Sequence, residues 1–228
     1  MQHRQPEQRR LYQQIADQIR QLILTDDFPV GARLPSERDL AAKLEVSRPS
    51  VREALIALEI EGMVEIRVGS GVYVTADRAR SPTPIGPLGE SPSELMQARM
   101  LVEGHVVLLA AGRVTTEGLK ALRSSIVAME DDVIAGRNPV AHDKMFHMTI
   151  AANCGNVVLE RIVLELFDGR HTPLSEKLQA RYGTPETWQM ALEEHRAILN
   201  AIERNDALLA QAAMVTHLNA SRRRWIEA

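Results

Sequence analysis

The stretch Leu34–Val74, LPSERDLAAKLEVSRPSVREALIALEIEGMVEIRVGSGVYV, constrains the fold most, because its hydrophobic period switches from that of a helix to that of a strand. Ser36 can offer its side-chain oxygen to the free N–H groups of a first helix, and Asp39 three residues on completes a capping-box pattern. Leu40, Ala41 and Leu44 share one face of that helix. Glu45-Val46 is the turn. Ser47 caps a second helix, and Pro49 is tolerated in its first turn, where the backbone N–H has no helical partner. Val51, Leu55 and Leu58 make the apolar stripe. Arg48 and Arg52 lie one turn apart, so they project from the same side near the helix N-terminus. After Gly62 the period becomes two. Val64, Ile66 and Val68 alternate with Glu65 and Arg67, Gly69-Ser70-Gly71 turns the chain, and Val72-Tyr73-Val74 returns.

A capped helix pair followed by a two-stranded wing is a shape that reads double-stranded DNA. The N-terminal side chains of the second helix meet base edges in the major groove while the first helix crosses the backbone. Arginine suits the task, since its planar fork bonds guanine O6 and N7 together or clamps a phosphate. Ser47 and Ser50 are short donors for phosphate oxygens. The glycine-tipped wing allows close backbone approach to a phosphate or the minor groove. The plainer alternative is a small helical core with solvated arginines.

These residues resemble a known family. Gly31-Ala32-Arg33-Leu34-Pro35-Ser36-Glu37-Arg38, with Val46-Ser47-Arg48-Pro49-Ser50-Val51-Arg52-Glu53-Ala54-Leu55, is similar to the winged helix-turn-helix of GntR-type bacterial transcription regulators. The resemblance implies Arg38, Ser47, Arg48, Ser50, Arg52 and the wing-tip Gly69 as DNA contacts. Many members carry Thr where this chain has Pro49 and Ser50, which leaves the preferred base sequence open.

The charge balance sets a condition on such binding. Residues 1–80 hold 12 Lys/Arg against 12 Asp/Glu, within an overall net charge of −3. Affinity must then come from a few placed cations, doubled in a dimer, and not from a general basic field. No apolar run approaches the length of a membrane span, and the polar start Met1-Gln2-His3-Arg4-Gln5-Pro6 predicts no signal peptide. The lone Cys154 rules out an internal disulfide framework and fits a cytoplasmic setting.

In chain order, Leu11–Thr25 predicts a first helix with Leu11, Ile15, Ile19, Leu22 and Ile23 on one stripe. The expected DNA-binding domain covers residues 1–76. Residues 77–92, DRARSPTPIGPLGESP, have the proline and glycine content of a linker. Residues 93–228 show no strand pattern. Helices are expected from Ser91 or Ser93 to about Gly112, over Thr116–Gly136, Val140–Ala152, Val157 to about Gly169, Pro185–Glu203 and Asp206–Ile226, while 170–185 is ambiguous. Short loops and apolar stripes predict an antiparallel bundle. The fold expected is therefore mainly α, a winged helix-turn-helix followed by an all-helical domain.

Four polar residues stand out in the helical half. Asp143 and His147 lie one turn apart on one helix; His195 and His217 lie on the last two helices, which an antiparallel turn can bring level. One carboxylate and three imidazoles suit Zn²⁺, with Ni²⁺, Mn²⁺ or Fe²⁺ as further fits. Spacing alone leaves open the alternative of histidines scattered over solvated faces. The resemblance extends here. The layout is similar to the all-helical (FCD-type) domain of the FadR-like branch, whose metal-binding members use an Asp-x-x-x-His helix and one His from each of two later helices, a pattern that falls on Asp143, His147, His195 and His217. It further implies a small carboxylate effector that completes the metal's coordination and meets an arginine. Arg99 is the candidate, with Arg170 as a second. Glu103, one turn from Arg99, offers the alternative of a surface ion pair. His105 and His171 read as surface or packing residues, and Asn156 as a helix-start residue.

The function expected is a metabolite-responsive DNA-binding regulator, a repressor, acting as a homodimer on a palindromic operator. Glu94-Leu95-Met96-Gln97-Ala98-Arg99 and the wing look most like repressors of hexuronate catabolism; lactate, glycolate and gluconate sensors share the scaffold. A metalloenzyme fused to a DNA-binding domain is the runner-up, but the chain has no His-Glu-x-x-His motif and no second carboxylate set as a general base. A third possibility is an effector-independent architectural DNA-binding dimer.

Overall fold

A computed structural model of the chain describes residues 10–25, 28–75 and 88–227. It forms two compact units, one of residues 1–93 with 172–177 and one of residues 94–171 with 178–228.

The first unit contains α1 (Leu11–Thr25), α2 (Glu37–Leu44), α3 (Arg48–Ile60) and a ribbon of β1 (Val64–Arg67) and β2 (Gly71–Val74). Local chemistry sets each boundary. Ser36 Oγ accepts from Asp39 N at 3.2 Å and opens α2. Glu45 closes it in the left-handed region at φ 55°, which frees the chain to reverse into α3. Ser47 Oγ accepts from Ser50 N at 3.3 Å at the head of α3. Ile15, Ile19, Ile23, Leu40, Leu55 and Leu58 from the helices bury against Val64, Val72 and Val74 of the ribbon. β1 and β2 are antiparallel, with Val64 opposite Val74 and Arg67 opposite Gly71. The expected strand ran to Val68. Instead Ser70 N closes a turn onto Arg67 O at 2.9 Å, so Val68 sits in the wing tip and is 81% exposed.

Of the expected linker, residues 77–87 lie outside the described residues. Residues 88–92 are packed chain: Leu88 and Ser91 are buried, and Glu53 on α3 accepts from Ser91 Oγ and from Ser93 N, both at 2.8 Å.

The second unit is helical: α4 (Pro92–Ala111), α5 (Thr116–Ile134), α6 (Val140–Ala152), α7 (Val157–Asp168), α8 (Pro173–Tyr182), α9 (Pro185–Glu203) and α10 (Ala207–Arg222), of which the start of α4 and the first half of α8 group with the first unit. Val106, Val107, Leu122, Ile126, Phe146, Ile150, Phe167, Ile198, Met214 and Leu218 make one core. Caps again fix helix starts: Thr115 accepts from Gly118 N, Asn156 from Val158 N and Leu159 N, and Asp206 from Leu209 N. The ambiguous stretch contains α8, begun by Pro173 in a first turn that needs no N–H donor and ended at Gly183. The last helix differs too. Past Arg222 it widens into a π-helical turn over Arg223–Glu227, with Trp225 buried.

Candidate metal and effector site

Asp143 and His147 project from α6, His195 from α9 and His217 from α10. All four side chains are buried, and one ligand atom from each falls within 4.8 Å of the others. His195 Nε2 lies 3.2 Å from Asp143 Oδ1 and 3.4 Å from His147 Nε2, and His147 Nε2 lies 3.8 Å from Asp143 Oδ1. Neighbouring ligands of a tetrahedral zinc with bonds near 2.1 Å stand about 3.4 Å apart, so these separations suit one ion.

The hydrogen bonds on the far side of each ring say which nitrogen is on offer. His195 Nδ1 donates to Ala191 O at 2.7 Å. His217 Nδ1 donates to Glu194 Oε2 at 2.8 Å, and His147 Nδ1 bonds Glu103 Oε2. A carbonyl and two carboxylates accept only, so the protons sit on Nδ1 and Nε2 carries a lone pair. His147 and His195 therefore aim two lone pairs at each other beside a carboxylate oxygen. A cation resolves that conflict; the residues fit a divalent metal.

Electrostatics agree. Burial pushes the His217 imidazole down to about 3, with the neighbouring His195 ring acting in the same direction, and burial also lowers His147 against the pull of Glu103. Both are neutral near pH 7, the form that binds metal. Burial pushes the Asp143 carboxyl up, but the His195 and His147 rings and the Arg170 guanidinium beside it outweigh that and hold Asp143 well below the usual range. Burial likewise raises Glu103 and Glu194, and their partners more than reverse it: Arg99 and His147 take Glu103 to about 2, and Arg224 and His217 take Glu194 to about 2.

Three arginines surround the cluster. Arg99 Nε bonds Glu103 Oε1 at 2.6 Å, and its guanidinium lies 4.0 Å from the centre of the Phe167 ring. Arg170 Nη1 bonds Asp143 Oδ2 at 3.3 Å, and its guanidinium lies 4.7 Å from the Trp225 ring. Arg224 grips Glu194 with both Nη atoms, at 2.6 and 2.8 Å. A pocket opens beside the cluster, with Arg99, Asp143, Arg170, His217, Arg224 and Trp225 in its wall. Arg99 Nη2 and Arg224 Nε are buried and have no hydrogen-bond partner. The Arg99–Glu103 pair forms as its spacing suggested, but it is buried and not a surface pair. Glu103, Glu194, Arg224 and Trp225 were missed from sequence. Glu103 had a signal in its one-turn spacing from Arg99 and Arg224 in its two-turn spacing from His217; Trp225 had none.

The DNA-reading candidates divide by exposure. Arg38 and Arg48 are exposed, with Arg48 4.0 Å from Glu37. Ser47 Oγ and Ser50 Oγ are 2.8 Å apart. Gly69 is at the wing tip with φ 72°, a conformation glycine takes without strain. Arg52 is different: it is 5% exposed, and its Nε and Nη2 bind the Glu37 carboxylate at 3.0 and 2.7 Å.

Comparison with known proteins agrees with this architecture. Residues 11–74 match the bacterial regulatory proteins of the gntR family and residues 94–220 match the FCD domain. The chain is 34% identical over 227 residues to the Uxu operon transcriptional regulator of Escherichia coli K12, covering 96% of this chain and 88% of that protein. It is 35% identical to the Exu regulon transcriptional regulator of the same organism, over 93% of this chain and 83% of that protein. Among solved structures, the Streptococcus agalactiae GntR is similar at a TM-score of 0.51 and 30% identity, covering 93% of this chain and 99% of that one. The chain belongs to the GntR family of bacterial transcription regulators and carries an FCD effector domain. These relatives are regulators and not enzymes. No helix among the described residues is long and apolar enough to cross a membrane.

Proposed function

We propose that this regulator is a cytoplasmic homodimeric repressor that holds a divalent metal, zinc first, on Asp143, His147, His195 and His217, binds a small sugar acid beside it, and responds by releasing a palindromic operator. One observation carries the effector reading. Around the donors three guanidiniums (Arg99, Arg170, Arg224) face three ionised carboxylates (Glu103, Asp143, Glu194), the Arg224–Glu194 pair half-buried and the others buried, with His147 and His217 neutral. That balance is near zero until a divalent ion enters. A bound metal leaves an excess positive charge in a largely buried site, which an anion in the pocket offsets. Arg99 Nη2, buried without a partner, is the donor that meets the acid group. The metal would supply a Lewis-acid oxygen site; the chain's own arginines orient the acid. The resemblance to hexuronate repressors and kinship with the Uxu and Exu regulators favour a hexuronate.

On the DNA side, Arg38, Arg48, Ser47, Ser50 and Gly69 are offered as direct contacts. Arg52 is offered as a reading-helix residue that reaches DNA only by exchanging Glu37. Two-fold symmetry of a dimer would pair two reading helices on one operator. The effector can shift the DNA-binding equilibrium only by its differential affinity for the two states.

The test is thermal unfolding against a panel of hexuronates, aldonates and short hydroxy acids, with and without a chelator, repeated as operator release by the acids that score. A ligand at a hundred times its dissociation constant adds about 2.7 kcal/mol. A shift with one sugar acid that disappears on chelation supports metal and effector together. A shift indifferent to chelation removes the metal from the reading. No shift with any acid favours the architectural DNA-binding dimer.

A further inference from the structure

The three imidazoles are not oriented alike. His195 is held by a backbone carbonyl of its own helix, whereas His217 is held from the neighbouring helix by Glu194, the residue immediately before His195 in sequence. Glu194 is itself fixed. Both its oxygens are bound by the two Nη atoms of Arg224 at 2.6 and 2.8 Å, and Oε2 also takes the His217 Nδ1 proton at 2.8 Å. A fork-on-carboxylate pair locks the carboxylate plane, and so locks the plane of the ring that donates to it. Arg224 lies two turns past His217, in the π-helical turn Arg223–Glu227 that follows α10 directly.

We propose that Glu194, clamped by Arg224, is a positioning residue for the metal ligand His217: it keeps the proton on Nδ1, aims Nε2 at the ion and raises the basicity of that nitrogen. The inference rests on the metal reading above. Glu194 does so without touching the ion, since Nδ1 and Nε2 lie on opposite sides of the ring. Its side chain is 20% exposed, less enclosed than the parallel Arg99–Glu103–His147 arrangement, so it can be altered with less risk to the fold.

The experiment measures affinity for Co²⁺ and Zn²⁺ alone, by competition with a chelating dye, on the full chain and on Glu194→Gln, Arg224→Lys, His217→Ala and the Glu194→Gln/His217→Ala double variant. Partners of this kind are worth about 10- to 100-fold in metal affinity. Glu194→Gln keeps the shape and a carbonyl acceptor but loses the charge; it is expected to weaken metal binding in that range and to shift the visible Co²⁺ spectrum. Metal-free melting should stay within a few degrees of the parent. Arg224→Lys, which keeps charge but loses the fork, should weaken metal in the same direction and guards against misfolding of the first variant. In the His217→Ala background Glu194→Gln should cost nothing more, because a residue acting only through His217 has nothing left to orient. An equal loss in both backgrounds would make Glu194 merely structural and overturn the proposal. So would parent-like affinity and spectrum in Glu194→Gln. If the unaltered chain takes up neither ion, the metal reading falls, and this inference with it.

Discussion

Arg99→Lys separates effector recognition from fold and metal. Arg99 has three ties, Nε to Glu103 at 2.6 Å, Nη1 to Met96 Sδ at 3.7 Å and the guanidinium over Phe167 at 4.0 Å, while Nη2 has no partner. Lysine keeps the positive charge that Glu103 faces but cannot offer two parallel donors. A hydrogen bond between charged groups contributes about 1.5–3 kcal/mol, so losing the Nη2 contact should weaken acid binding by about 10- to 150-fold. Loss of the guanidinium over Phe167 costs at most about 2 kcal/mol of fold stability. Metal affinity should fall less than in Arg224→Lys, because Arg99 meets Glu103 through Nε alone, a single contact that a lysine ammonium can replace. Calorimetric titration of the zinc-loaded protein with the sugar acid that gives the largest thermal shift measures the first quantity and dye competition the second. Acid affinity within threefold of the parent would refute the role given to Arg99. Arg99→Ala is a poorer probe: it strands a buried Glu103 carboxylate, a fault that costs about 3–5 kcal/mol and would confuse binding with unfolding.

Arg48→Ala, at an exposed position, should weaken operator binding with little change in melting; if Arg48 contacts a phosphate, the salt slope should fall by about one, and unchanged operator affinity would remove it from the interface. Arg52→Ala should lower the stability of the winged unit by about 2–3 kcal/mol, less than a fully buried pair because Glu37 keeps 21% exposure; a variant with parent-like denaturant unfolding that fails only in binding would show the Glu37 pair to be dispensable. In chelator-treated protein, stability should fall as pH drops below 6.5, because folded His217 is held at about 3 and the unfolded imidazole takes up a proton the folded one refuses. That group alone gives a slope of up to about 1.4 kcal/mol per pH unit, and Glu103 and Glu194, both depressed, add to it in the same direction below 4.5. Denaturant unfolding at pH 7, 6 and 5 reads the slope; a flat profile would contradict the burial of a neutral His217.

What was legible in the chain is what local chemistry decides. Ser36, Ser47, Asn156 and Asp206 cap helices because each side chain reaches only two or three residues ahead. The metal quartet was legible only in part from spacing. A one-turn separation pairs Asp143 with His147, but convergence of α6, α9 and α10 is a tertiary fact that the family resemblance, not the period, suggested. Pairings between elements were not legible. Nothing near Arg52 announces that Glu37, on the preceding helix, takes its fork. Arg99 and Glu103 have the spacing of a surface pair, and only tertiary packing, with Phe167 against Arg99 and His147 against Glu103, makes the pair a buried one. The wing was read one residue long at Val68 because alternation continues past the point where the Arg67–Ser70 turn has already begun. The π-helical turn at Arg223–Glu227 follows a sequence with ordinary helical pattern, so the turn and the burial of Trp225 were invisible before the structure.

The burial of all four donor side chains has a consequence in time. An ion among them exchanges with solvent only when part of the bundle opens, an event governed by local unfolding and not by diffusion. An acid in the pocket alongside would lie outside those four donors and would not share that barrier. Two ligands on one site would then keep two clocks. The metal would record the conditions under which the molecule was made, and the acid would report the state of the cell from moment to moment.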